Sequence, residues 1–76
     1  MTQCITTRIH TEYIQLDQLL KLESIIGTGG QIKELLEAQA ILVNHVRCQE
    51  KRKKIRPHDV VEVVDVATIT VVSEEV

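Results

Sequence analysis

Thr28-Gly29-Gly30-Gln31-Ile32-Lys33-Glu34-Leu35-Leu36-Glu37-Ala38-Gln39-Ala40-Ile41-Leu42-Val43-Asn44-His45 contains the change of period that decides the fold. Ile32, Leu35 and Leu36 fall at i, i+3 and i+4, the stripe that a helix buries, and predict a helix from Gln31 to about Gln39. Thr28 or Gly29 supplies its N-cap. Ile41 to Val43 then forms an apolar run too short for a helix and reads as a strand. Asn44 and His45 tolerate the left-handed backbone region better than most residues, so they predict a tight turn, with Val46 starting the return strand.

Upstream, Leu16, Leu19, Leu20 and Glu23 repeat at helical spacing and predict a short helix over 17–23, with Asp17 near its start and Leu22 as a second apolar flank. The β-branched stretch 5–10 predicts a strand with Ile5 and Ile9 inward, and Ile14 and Leu16 extend a short β-like lead-in. Downstream, Pro57-His58-Asp59 is a turn, and Val60 to Val64 is a strand whose one charged residue is Glu62. Asp65-Val66-Ala67 turns the chain into a last strand, Thr68 to Val72. Helices come first and antiparallel strands later. The expected class is α+β, two short helices packed on a small antiparallel sheet, with residues 1–76 as one domain.

Of the 76 residues, 26 are Ile, Val or Leu, enough for one packed core. Tyr13 is the sole aromatic residue, so there is no set of rings on which to stack bases. A chain this short rarely encloses a substrate cleft, and no Ser/His/Asp set, Cys–His pair or paired acidic cluster is apparent, so an enzyme is not expected. No apolar run approaches the roughly 20 residues that cross a bilayer, and the first residues lack a secretory pattern, which points to the cytoplasm. Cys4 and Cys48 form no CxxC pair, and a disulfide between them is disfavoured in a reducing compartment. His10, His45 and His58 match no standard metal spacing, so neither metal nor cofactor is expected.

Charge is distributed unevenly. Residues 47–56 hold six bases (Arg47, Lys51, Arg52, Lys53, Lys54 and Arg56) and one acid, Glu50, for a net of +5. The other 66 residues hold three bases and ten acids, for a net of −7. Like charge so concentrated raises the energy of the compact state and suits an anionic partner for one face. A solvated basic loop is the plain alternative. A membrane surface fits less well, because only Cys48 and Ile55 accompany the run as apolar residues.

All three glycines lie between positions 27 and 30. Glycine reaches backbone angles that strain other residues and lets another molecule approach the chain closely. The unpaired N–H groups of the following helix start, at Gly30 and Gln31, make a place where phosphates settle. Lys33 in the first turn opposes the helix dipole, which makes sense if an external anion sits between them. The other reading of Lys33 is an exposed ion pair with Glu37 one turn on. The full P-loop pattern is missing.

Five pieces now stand in order: Leu16-Asp17-Gln18-Leu19-Leu20-Lys21, Thr28-Gly29-Gly30-Gln31-Ile32-Lys33, Ile41-Leu42-Val43-Asn44-His45, Arg52-Lys53-Lys54-Ile55-Arg56 and Pro57-His58-Asp59-Val60-Val61. Together they resemble the S-four RNA-binding domain, or alpha-L motif, named after a small-subunit ribosomal protein, and in particular its short stand-alone bacterial members. The resemblance covers roughly residues 12–65, with the N- and C-terminal strands completing the sheet. It implies two helices on a small antiparallel sheet and an RNA surface of Gln31, Lys33, Asn44, His45, Arg47, Arg52, Lys53, Lys54 and Arg56, to which the helix start adds Gly30. His45 and His58 depart from the family, which usually has glycine at both places. His45 lies where it could meet phosphate or simply occupy an exposed turn, and His58 reads as a turn residue.

The expected function is therefore non-catalytic binding of structured RNA, ribosomal or transfer RNA, with a role in ribosome assembly or translation. Neither a membrane nor a small-molecule substrate is expected. With so few rings, the target is read by backbone and groove shape, and Tyr13 anchors the lead-in to the first helix. The alternative is an adaptor whose basic face docks on an acidic protein, although the aromatic anchors usual at such interfaces are absent.

Overall fold

The computed structural model describes residues 2–74; Met1, Glu75 and Val76, the ends of the expected 1–76 span, lie outside the described residues. In chain order the elements are β1 (Gln3–Ile9), β2 (Ile14–Gln15), α1 (Leu16–Leu22), α2 (Gly29–Glu37), β3 (Ile41–Val43), β4 (Val46–Arg47), β5 (Lys54–Ile55), β6 (Val60–Val63) and β7 (Ala67–Ser73). Five strands form one sheet in the order β1-β7-β6-β3-β4, and β2 and β5 form a separate two-stranded ribbon. The α+β class and the two helices are as the periodicity indicates.

The main sheet is mixed rather than wholly antiparallel. β1 runs parallel to β7 along its whole length, from Gln3 opposite Ala67 to Ile9 opposite Ser73, whereas the other pairs are antiparallel. Alternating burial marks a segment as a strand but says nothing about the direction of its neighbour. That direction depends on the long crossover through both helices.

The helices rest on the sheet chiefly through aliphatic side chains. Leu16, Leu19 and Leu20 of α1 and Ile32 of α2 are fully buried against Ile41, Val61, Val63, Ile69 and Val71, with Ile9 and Ile55 closing the sides. Leu22 is not a second buried flank: it is 61% exposed. At 100° per residue it falls outside the arc centred between Leu19 and Leu20. Glu23 falls inside that arc, and the half-buried carboxylate accepts a 2.8 Å hydrogen bond from the hydroxyl of buried Thr7 on β1. A charged residue at a core-facing position is thus satisfied by its partner strand.

Both helices end in the same way, without glycine. The Ser24 N–H donates to Lys21 O and the Ile25 N–H to Leu20 O; the Gln39 N–H donates to Leu36 O and the Ala40 N–H to Leu35 O. With Ser24 at φ 59° and Gln39 at φ 56°, these are Schellman endings built on a serine and a glutamine. Asn44, His45, His58 and Asp65 also take positive φ, and no glycine does. The glycines are therefore not there to supply special angles. A Cβ on Gly30 would meet nothing nearer than Thr28 Oγ1 at 3.9 Å, so no side chain crowds that position.

Leu20→Ala is expected to lower the unfolding free energy by about 2–5 kcal/mol. Leu22→Ala, two positions on, should change it by about 0.5 kcal/mol at most. Urea denaturation followed by circular dichroism separates the two.

Candidate nucleic-acid interface

The basic segment is fixed to the body by its backbone, which leaves its side chains outside. Lys53 O accepts the Leu16 N–H at 2.8 Å and Lys51 O accepts the Asp17 N–H at 3.2 Å, so loop carbonyls cap the start of α1. Gln15, at the N-cap, makes no side-chain capping bond. One residue on, Lys54 and Ile55 pair with Gln15 and Ile14 as the β2–β5 ribbon, and Ile55 is fully buried. At the other end of the loop, buried Cys48 donates its thiol to Glu50 O at 3.5 Å and its N–H to Ile41 O at 2.9 Å. Lys51, Arg52, Lys54 and Arg56 are exposed and Lys53 is half-buried.

These cations are not neutralised internally. Among the described residues the one ion pair is His10 with Glu74, at 3.4 Å and remote in sequence from the basic run. The Lys54 ammonium stands 4.9 Å from the centre of the Tyr13 ring, a cation–π contact that occupies the molecule's one aromatic side chain. Tyr13 thus sits at the lead-in to α1, beneath a residue of the basic run. Arg47 donates to the Gln39 side chain just past the end of α2, which ties β4 to that helix.

The hairpin turn is a two-residue loop with Asn44 at φ 52° and His45 at φ 69°, the I′ geometry that matches strand twist. Asn44 is held on both sides. Its Nδ2 donates to Asp59 Oδ1 at 3.0 Å, and its Oδ1 accepts the Val60 N–H at 2.9 Å. The second oxygen of Asp59 accepts the Arg56 N–H at 2.8 Å. The Asn44 side chain therefore positions the turn and joins it to the end of the basic run. His45 and Val46 are exposed at the tip. His58, at φ 78°, forms with Asp59 a bulge facing Val71 on β7.

The start of α2 differs from expectation in two ways. The helix begins at Gly29, so Lys33 is its fifth residue and lies beyond the first turn, where the dipole acts most strongly. Gln31 turns its carboxamide back, and its Oε1 accepts the N–H groups of Gly27 and Thr28. No acidic residue stands in the first turn. Lys33 makes no ion pair with Glu37, although both line one hollow of about 390 Å³ together with Gln49 of the basic loop. Gln31 lines a different hollow with Ile25 and Ile26, on the other flank of the helix.

A third hollow, of about 370 Å³, lies between the hairpin and the loop and, like the one at Lys33, has Gln49 in its wall. It is lined by Asn44, Arg47 and Lys53 among others. Gln49 thus lines both this hollow and the one bordered by Lys33. The second helix and the cationic loop therefore share a side of the molecule. Sequence reasoning did not find Gln39, Gln49, Glu50 or Val46. Glu50 carried a signal, as the single acid in the basic run; the others become neighbours only when the loop folds back over α2.

Residues 7–72 match the family model of the S4 domain. The chain belongs to the S4-domain family. Among curated proteins, this S4-domain chain is similar to one named "Probable ribosome maturation protein RlbA" from Bacillus subtilis (strain 168). The two are 37% identical over 65 residues, covering 86% of this chain and 92% of the relative. The family match spans both helices and every strand from the second half of β1 nearly to the end of β7.

Asn44→Ala is expected to lower stability by about 1–3 kcal/mol, since it removes both side-chain bonds and a residue suited to positive φ. Asn44→Gly keeps the backbone conformation without the bonds and should fall between alanine and the native protein in thermal denaturation.

Proposed function

We propose that this S4-domain protein is a non-catalytic module that binds structured RNA, ribosomal or transfer RNA, through phosphate contacts, and acts in ribosome assembly or translation in the cytoplasm. The observation that carries the reading is the cationic loop itself. Its backbone is held by hydrogen bonds, and its bases, free of internal carboxylates among the described residues, lie on the same side of the molecule as Lys33. The name of the Bacillus subtilis relative supports the ribosomal setting.

In this reading Arg47, Arg52, Lys53, Lys54 and Arg56 neutralise phosphates and release counterions, and the arginines add forked hydrogen bonds. Lys33 extends the track along α2, and bare Gly30 allows a phosphate to approach the helix start. Asn44 and Gln31 act by holding the turn and the glycine loop in shape, and His45 meets the RNA from the hairpin tip. The α1 dipole adds to the field, because its positive end lies against the cationic loop.

Contact with about five phosphates gives a log–log salt slope of roughly −3.5 to −4.5 in a titration with ribosomal RNA fragments. Changing Arg52, Lys53 and Lys54 together to Glu should abolish most of that slope and weaken binding to many RNA sequences alike; an unchanged curve at low salt refutes the reading. Lys33→Ala should weaken binding without lowering the melting temperature. Gly30→Ala should move the two properties apart, raising stability by about 0.5–1 kcal/mol while weakening RNA binding.

A further inference from the structure

We propose that the hollow beside the β3–β4 hairpin is the seat of one unpaired guanine in the bound RNA, an inference that rests on the RNA-binding reading above. The hollow has a volume of about 370 Å³ and an apolar lining at Val43, Val46 and Cys48. Val43 and Cys48 are almost fully buried, whereas Val46 is 69% exposed, the most exposed large apolar side chain among the described residues. The I′ turn and the pairing of Val46 with Val43 fix it there. An apolar surface held open beside cations offers the face of a splayed-out base something to lie against.

The edge of that base meets Glu50. Exposed Glu50 lines the hollow with Gln49 and Lys53 and makes no ion pair among the described residues. Its own main-chain oxygen accepts the Cys48 thiol and the Lys53 N–H, which sets its place in the loop. An acid amid six bases repels phosphate, so it detracts from plain electrostatic binding. A carboxylate presents acceptors only, two side by side. Guanine is the base whose Watson–Crick edge presents two adjacent donors, N1–H and the 2-amino group. On adenine, cytosine and uracil a donor is flanked by acceptors, which a carboxylate oxygen repels. Arg47 and Lys53 on the same hollow take the flanking phosphates. In a duplex that edge is paired, so the seat selects a guanine in a bulge or loop.

The test uses the full chain and a short RNA hairpin with one bulged nucleotide, in versions bearing guanine, inosine, adenine, cytosine or uracil, beside a fully paired hairpin. The guanine bulge should bind about tenfold tighter than adenine, cytosine or uracil, with inosine, which lacks the 2-amino group, in between. Glu50→Gln should level the series while raising affinity for the fully paired hairpin, because a negative charge is gone. Equal affinity for every bulge with the salt dependence intact, or a guanine preference that survives Glu50→Gln, overturns the guanine seat and leaves the RNA reading standing. Loss of salt-dependent binding to all the hairpins overturns both.

Discussion

Two backbone hydrogen bonds organise the cationic side of this molecule: Leu16 N–H to Lys53 O and Asp17 N–H to Lys51 O. A helix start needs acceptors for its first amides, and α1 takes them from the main chain of the most basic segment of the protein. With these carbonyls turned to the body, Lys51, Arg52, Lys54 and Arg56 stand exposed, while Cys48 and Ile55 are buried. The arrangement also sets positive charge against the positive end of a helix, with Asp17 in the first turn as the local counterweight. What remains is a cationic face whose bases have no carboxylate partner among the described residues.

The short-range features could be read from the residues because short-range physics causes them. Leu16, Leu19 and Leu20 announce α1 by their spacing, and Asn44-His45 announces the hairpin because both side chains tolerate positive φ. The six clustered bases mark the surface before any contact is known. Periodicity begins α2 at Gln31, two residues late, because Gly29 and Gly30 carry no apolar side chain to mark the first turn that follows the Thr28 cap. With the helix starting at Gly29, Lys33 lies beyond the first turn, where the dipole acts on it less strongly. The positive backbone angles belong to Ser24, Gln39 and four other residues rather than to glycine.

The features that escaped are those that join distant segments. Nothing local to 54–55 says that it pairs with 14–15, because two-residue strands carry no period of their own. Nothing in α2 says that Gln49 lies beside Lys33. The division of α2 into two flanks was open to arithmetic, since residues 31 and 33 differ by 200° around a helix, and the structure accordingly places Gln31 and Lys33 in different hollows.

The parallel pairing of β1 with β7 also bears on how the protein is made. The ribosome delivers β1 before any other strand and β7 after all of them, so β1 leaves the exit tunnel with its neighbour not yet translated. Its Ile5, Thr7 and Ile9 must wait in solution for the whole intervening chain. Closing so long a loop is entropically slow, and an unpaired strand is a point of mispairing during the delay. The sheet is thus completed only once synthesis has passed Ser73, and a growing chain stalled short of that point carries an orphan first strand.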